Sequence, residues 1–105
     1  MSVQIAHFQC DVTPPLGFPL CAGWYLTAHT IADKLEANGI IIVADDQPAI
    51  VLCALDWAGL SNHEHLHWRE ALATATGTDA DHVAVQCSHC HDSPWPDQVA
   101  QAMLD

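Results

Sequence analysis

Between residues 49 and 86 the chain switches hydrophobic period twice, in an order that leaves few folds open. Ala49-Ile50-Val51-Leu52-Cys53-Ala54-Leu55 is an unbroken apolar run of strand length. Ser61 or Asn62 then stands as a cap before a segment in which Trp68, Ala71, Leu72 and Ala75 recur at helical spacing. Gly77 stops it, which predicts a helix over 62–76. A second apolar run, 82–86 with Val83-Ala84-Val85 at its centre, reads as another strand. Strand 49–55, helix 62–76 and strand 82–86 form a β-α-β unit, whose crossover is right-handed almost without exception. The two strands are then parallel and end on the same edge of the sheet, the edge where open α/β sheets hold ligands. Asp56 ends the first strand and Cys87-Ser88-His89-Cys90-His91 ends the second. Asp56 is therefore expected beside the histidines, either as active-site support or as an ordinary strand-end turn.

The remaining segments extend this frame. Gly39-Ile40-Ile41-Ile42-Val43-Ala44 is a strand of buried type, and Asp45-Asp46-Gln47-Pro48 is turn chemistry, so 39–55 reads as a hairpin. Val3-Gln4-Ile5-Ala6-His7-Phe8 alternates as a half-buried strand does. Two prolines and a glycine in Asp11-Val12-Thr13-Pro14-Pro15-Leu16-Gly17 forbid regular structure, with Asp11 as a turn residue. No clear period follows until about Thr30, and Asp97 caps a short final helix. Trp57, Trp68 and Trp24 are expected to pack in the core or a cleft, and Trp95, between two prolines, to be exposed. The expected fold class is α/β: a mixed sheet with a β-α-β unit, preceded by a strand and a Pro-rich loop, in one domain over 1–105.

Charge removes several function classes. Thirteen Asp and Glu face only Lys34 and Arg69, a formal net charge of -11. Such a chain cannot neutralise phosphates, which excludes nucleic acid as a partner, and an anionic membrane would repel it. The opening MSVQIAHFQCDV lacks a basic n-region and a long apolar run, so an export signal is not expected. No apolar stretch approaches the length of a bilayer span, so no transmembrane segment is expected either. Five dispersed cysteines argue against a disulfide framework and suit a reducing, cytoplasmic setting.

Three motifs could carry chemistry. His63-Glu64-His65-Leu66-His67 satisfies H-E-x-x-H, in which two histidines one helical turn apart bind zinc and the glutamate acts as base. On a helical wheel, however, His63 and His67 share a face with Glu70 and Thr74, away from the apolar stripe, so a solvated helix face is expected. Cys87-Ser88-His89-Cys90 is a C-x-x-C, but a redox dithiol needs a helix N-terminus to lower its thiol pKa, and His-Asp-Ser-Pro-Trp-Pro follows instead. His89-Cys90-His91 is the third: in an extended segment residues i and i+2 point the same way, so both imidazoles can converge on one metal or substrate.

The order of these features resembles the neutral/alkaline, non-lysosomal ceramidase family. Asp11-Val12-Thr13-Pro14-Pro15-Leu16-Gly17-Phe18-Pro19-Leu20 is similar to the family's D-I-T-P-P-x-G-x-P-L opening. Ile40-Ile41-Ile42-Val43-Ala44-Asp45-Asp46 is similar to its next strand and turn. Val51-Leu52-Cys53-Ala54-Leu55-Asp56-Trp57-Ala58-Gly59-Leu60 resembles its V-S-x-D-x-x-G-L, and Cys87-Ser88-His89-Cys90-His91-Asp92-Ser93-Pro94 stands where the family has T-H-T-H-S-G-P. The resemblance implies a zinc amidohydrolase that cleaves an N-acyl amide such as ceramide into a sphingoid base and a fatty acid. It implies His89 as a zinc ligand and His91 as a catalytic neighbour; Asp56, placed by its strand end, is the candidate catalytic support around them. Cys90 replaces the threonine between the histidines, and Asp92-Ser93-Pro94 replaces Ser-Gly-Pro. The family's catalytic domain is several times longer, and its remaining zinc ligands come downstream of the matching stretch.

Two function classes follow. The first is the N-terminal part of a ceramidase-like zinc amidohydrolase, inactive alone, acting on a small-molecule N-acyl amide or lipid substrate. The second is a small non-catalytic module that binds a metal weakly or associates through a surface, including as a homo-oligomer.

Overall fold

In the computed structural model, which describes residues 2–104, the strands form one four-stranded sheet. The elements in chain order are β1 (Val3–Asp11), β2 (Glu36–Ala44), β3 (Ile50–Leu55), α1 (Asn62–Thr76), β4 (Val83–Cys87) and α2 (Gln98–Leu104). The sheet order is β1-β2-β3-β4. β1 and β3 each pair antiparallel with β2, whereas β4 pairs parallel with β3 across the α1 crossover. The expected mixed α/β architecture is therefore the observed one.

β1 and β2 are longer than their apolar patterns suggest. The ladder continues through Gln9↔Asn38, Cys10↔Ala37 and Asp11↔Glu36, where pairing rather than apolar periodicity holds the backbone extended. One pair in this ladder is unusual. Gly39 lies opposite Phe8, and a Cβ at residue 39 would fall 2.2 Å from the Phe8 ring and 2.7 Å from the Leu52 carbonyl oxygen. The missing side chain is what lets the aromatic ring cover this part of β2.

Alternation sends one set of side chains toward α1. Ala37, Val51, Cys53, Leu55, Val83 and Val85 are buried there together with Ala73 of the helix. Each large aliphatic side chain so buried contributes about 1.5–3 kcal/mol. Phe8, Trp57, Trp68 and Leu72 pack around them, and Trp57 meets Trp68 edge-on at 5.5 Å. The inner face of α1 departs from the expected stripe. Ala71 and Ala75 are exposed, while Ala73 is buried and Trp68 and Leu72 are partly buried. The face is rotated because Arg69 also turns inward, donating to the carbonyls of Ala80 at 2.8 Å and Val83 at 3.3 Å. One of the two cations thus ties the helix to the turn before β4. Gly77 ends α1 at φ 75°, donating its N–H to the Ala73 carbonyl, as a left-handed cap should.

Among the described residues no helix covers the opposite face of the sheet. The rows Ile5–Ile42–Ile50 and His7–Ile40–Leu52–Ala84 lie on it, and Val3, Ile5, Ile50 and Leu52 are exposed. Among the described residues no helix is long and apolar enough to cross a membrane.

Candidate functional site

The carboxyl ends of β3 and β4 lie side by side, and the loops that leave them are zipped together by backbone hydrogen bonds. Ser88 N–H donates to the Leu55 carbonyl at 2.9 Å and His89 N–H to the Trp57 carbonyl at 3.0 Å, carrying the parallel ladder beyond the strands. Ala58 N–H donates to the Pro94 carbonyl at 3.0 Å, and the Cys90 thiol to the Asp56 carbonyl at 3.2 Å. Ser93 is fully buried and its hydroxyl donates to the Cys90 carbonyl, closing the loop on itself. The Trp95 ring covers Gly59, where a Cβ would fall 2.6 Å from the indole.

This framework holds the histidines. His89 Nδ1 lies 2.6 Å from the Ala58 carbonyl oxygen. A carbonyl only accepts, so Nδ1 carries the proton and Nε2 of a neutral ring keeps its lone pair. The His89 and His91 rings stand perpendicular with centroids 4.9 Å apart. Extended alternation is not what brings them together: His89 has φ 65°, a left-handed conformation that costs a residue with a Cβ about 1–2 kcal/mol. The sharp turn, held by the bonds above, folds one ring against the edge of the other.

A second loop reaches the same place. Cys21, Ala22 and Gly23 have φ of 48°, 57° and 86°, a left-handed turn closed by an antiparallel bridge between Leu20 and Tyr25. Cys21 N–H donates to the Ser93 carbonyl at 2.8 Å, anchoring this turn to the histidine loop. Tyr25 Oη is then 3.1 Å from His91 Nδ1. Around His89 and His91 opens a cleft of about 660 Å³, lined also by Ala22, Trp24, Ser61, Trp95, Asp97 and Ala100. Trp24, expected as core or cleft packing, lines this cleft and is 86% exposed. Asp97 caps α2, and the N–H of Ala100 and the hydroxyl of Ser61 hold its carboxyl below the usual carboxylate range.

Asp56 sits in this neighbourhood through its backbone. Its carboxylate accepts from the Glu36 N–H at 3.0 Å while its own N–H donates to the Glu36 carbonyl at 2.9 Å, a clasp on the end of β2. Its contribution to the histidine loop is the carbonyl that receives the Cys90 thiol.

The other two motifs have structural employment. His63 and His67 are exposed on α1 with ring centroids 4.2 Å apart. The glutamate between them is 6% exposed: Glu64 Oε1 accepts from the Gln98 N–H at 2.7 Å, and Oε2 is buried without a hydrogen-bond partner among the described residues. Glu64 thus points toward α2, away from the role of a base beside a metal. All five cysteines are free thiols. Burial, with Cys90 nearby, raises the Cys87 pKa, the reverse of what a redox nucleophile needs. Burial, with the Cys10 and Cys87 thiols, pushes Cys53 up to about 11.

Sequence reasoning found His89, His91 and the convergence of the two strand ends. It missed Tyr25 and the inward turn of Glu64, whose partners lie 66 and 34 residues away. Comparison with family models, curated proteins and solved structures finds no match.

Proposed function

We propose that this chain carries part of the active site of a zinc-dependent amidohydrolase of ceramidase-like type, acting on an N-acyl amide. The observation that carries this reading is the arrangement of His89: its Nδ1 is fixed by the Ala58 carbonyl, leaving Nε2 as a ligand nitrogen beside His91 at an apolar cleft. Metal-ligating histidines are held in this way, with the second ring nitrogen donating to a carbonyl or carboxylate.

The donor set fits part of a zinc site. A catalytic zinc takes three protein ligands and keeps one open position. Among the described residues no group of three or more His, Cys, Asp or Glu is placed to hold a metal ion. His89 would hold the ion here, further ligands coming from additional sequence or a second subunit, and the chain alone would be inactive. Zinc, when bound, lowers the pKa of a coordinated water and polarises an amide carbonyl. The chain's own contribution is to fix the His89 ring, place His91 next to it, and receive an acyl chain between Trp24 and Trp95. The five free thiols support a reducing, cytoplasmic setting for the protein.

Tryptophan fluorescence tests the substrate half of this reading. A soluble N-acyl amide with a medium-length acyl chain should change the emission saturably, and the corresponding free amine should not. Trp95→Phe should remove most of the change. An amide that gives no saturable response at any soluble concentration would contradict the assignment.

The uncovered sheet face favours a second reading, a non-catalytic module that associates through Ile5, Ile50 and Leu52.

A further inference from the structure

We propose that Tyr25 is a positioning residue that fixes His91 in the tautomer opposite to that of His89, so that the cleft is faced by one imidazole lone pair and one imidazole N–H. The use of this pair rests on the amidohydrolase reading above; the tautomers themselves rest on geometry alone.

The Tyr25–His91 contact joins Oη and Nδ1 at 3.1 Å. A phenol is a stronger acid than a neutral imidazole N–H, and an imidazole nitrogen is a stronger base than a phenol oxygen. The matched pairing therefore has the Tyr25 O–H donating to His91 Nδ1. A neutral ring carries one proton, so that of His91 lies on Nε2. His89 is the reverse case, because the Ala58 carbonyl at 2.6 Å demands a proton on Nδ1. Two rings 4.9 Å apart and perpendicular thus present different groups to the same space. His89 Nε2 can ligate a metal or accept a proton. His91 Nε2–H can do neither, and donates instead to an oxygen, such as the carbonyl of an amide held against His89.

Tyr25 is built for this task. The Leu20–Tyr25 bridge and the left-handed turn between them set the direction of its side chain, and the Cys21 N–H bond to the Ser93 carbonyl locks that turn to the loop carrying His91. Three consecutive left-handed residues, two of them bearing a Cβ, are a conformation that a chain adopts only where its surroundings impose it.

Nitrogen-15 NMR of the imidazole side chains, at a pH where both rings are neutral, decides the matter. In the wild-type chain His91 should show a protonated Nε2 and a hydrogen-bonded, unprotonated Nδ1, and His89 the opposite pattern. In Tyr25→Phe the His91 Nδ1 resonance should shift back toward that of an unbonded imidazole nitrogen, with the His89 pattern unchanged as an internal control on folding. A wild-type His91 protonated on Nδ1, or a Tyr25→Phe spectrum unchanged at His91, would overturn the assignment. Added zinc separates this inference from the function it serves. A response at His89 Nε2 with the His91 Nε2–H intact supports both. No response, with both tautomers as assigned, upholds the tautomer pair and contradicts the metal reading. Zinc on both Nε2 atoms overturns the role given to Tyr25.

Discussion

The ring of Phe8 occupies the space where a side chain at residue 39 would begin, and the Leu52 carbonyl closes that space from the other strand. Gly39→Ala must therefore move either an aromatic ring of the core or the β2–β3 ladder, and the expected loss of stability is about 1–3 kcal/mol. Urea unfolding would measure it, and a midpoint equal to that of the wild type would show the contact to be loose. Thiol chemistry makes a second prediction at this scale. With its pKa at about 11, Cys53 should stay unreactive toward a disulfide reagent at pH 8, while the exposed Cys10 reacts quickly. Single Cys→Ser variants would assign the fast and slow phases. Individual residues were only partly legible in the sequence. His89 and His91 stand out because two imidazoles lie within three positions, whereas the place of Tyr25 depends on a left-handed turn in a stretch with no period. Asp56 was legible as a neighbour of the histidine loop, but the direction of its carboxylate, toward Glu36, depends on pairing between strands that no local pattern records.

Among the elements, α2 depends on a carboxylate from another helix. Glu64 accepts the Gln98 N–H from within a buried site, and a seven-residue helix has little stability of its own. Glu64→Ala should release α2, seen as rapid proteolysis after Trp95, while leaving the sheet and the zinc response at His89 intact. Loss of zinc binding in this variant would instead return Glu64 to the metal chemistry of its motif. Acid should weaken the turns for a related reason. Asp11, Asp79 and Asp97 have lowered pKa values, held by the Thr13 side chain and N–H, by the His82 side chain, and by the Ala100 N–H and Ser61 hydroxyl respectively. A carboxylate whose pKa is lower folded than unfolded adds stability that is complete above the unfolded value and is lost as pH falls through the folded one. Unfolding midpoints should therefore be flat in this respect above about pH 5 and decline below about pH 4; a midpoint that rises on acidification across that window would contradict it. The elements themselves were well encoded. The β-α-β unit follows from apolar runs of strand length, a capped helix and Gly77, each a local cause. The inner face of α1 was less so, because Arg69 is polar in sequence and yet turns inward to satisfy the carbonyls before β4.

The whole molecule has two unlike faces. One side of the sheet is sealed by α1, and the other leaves Ile5, Ile50 and Leu52 in water in a chain of net charge -11. Apolar area on that face favours self-association, while like charge on two copies opposes it. If the chain is an interaction module, sedimentation should show species heavier than 11.4 kDa, more of them at high salt, and Leu52→Lys should restore the monomer. A monomer at all concentrations and salts would remove that reading. Hydrophobic periodicity announced both faces of each strand, but not that only one of them would be covered, since that depends on how many helices the chain supplies.

The amidohydrolase account stands most directly on His89, and zinc bound by the purified chain at a fixed free zinc concentration, measured by equilibrium dialysis and elemental analysis, is the measurement that tests it. Bound zinc should be equal in the wild type and His63→Ala and lower in His89→Ala. Equal zinc in wild type and His89→Ala, or loss only in His63→Ala, would contradict it and move the metal chemistry to the face of α1.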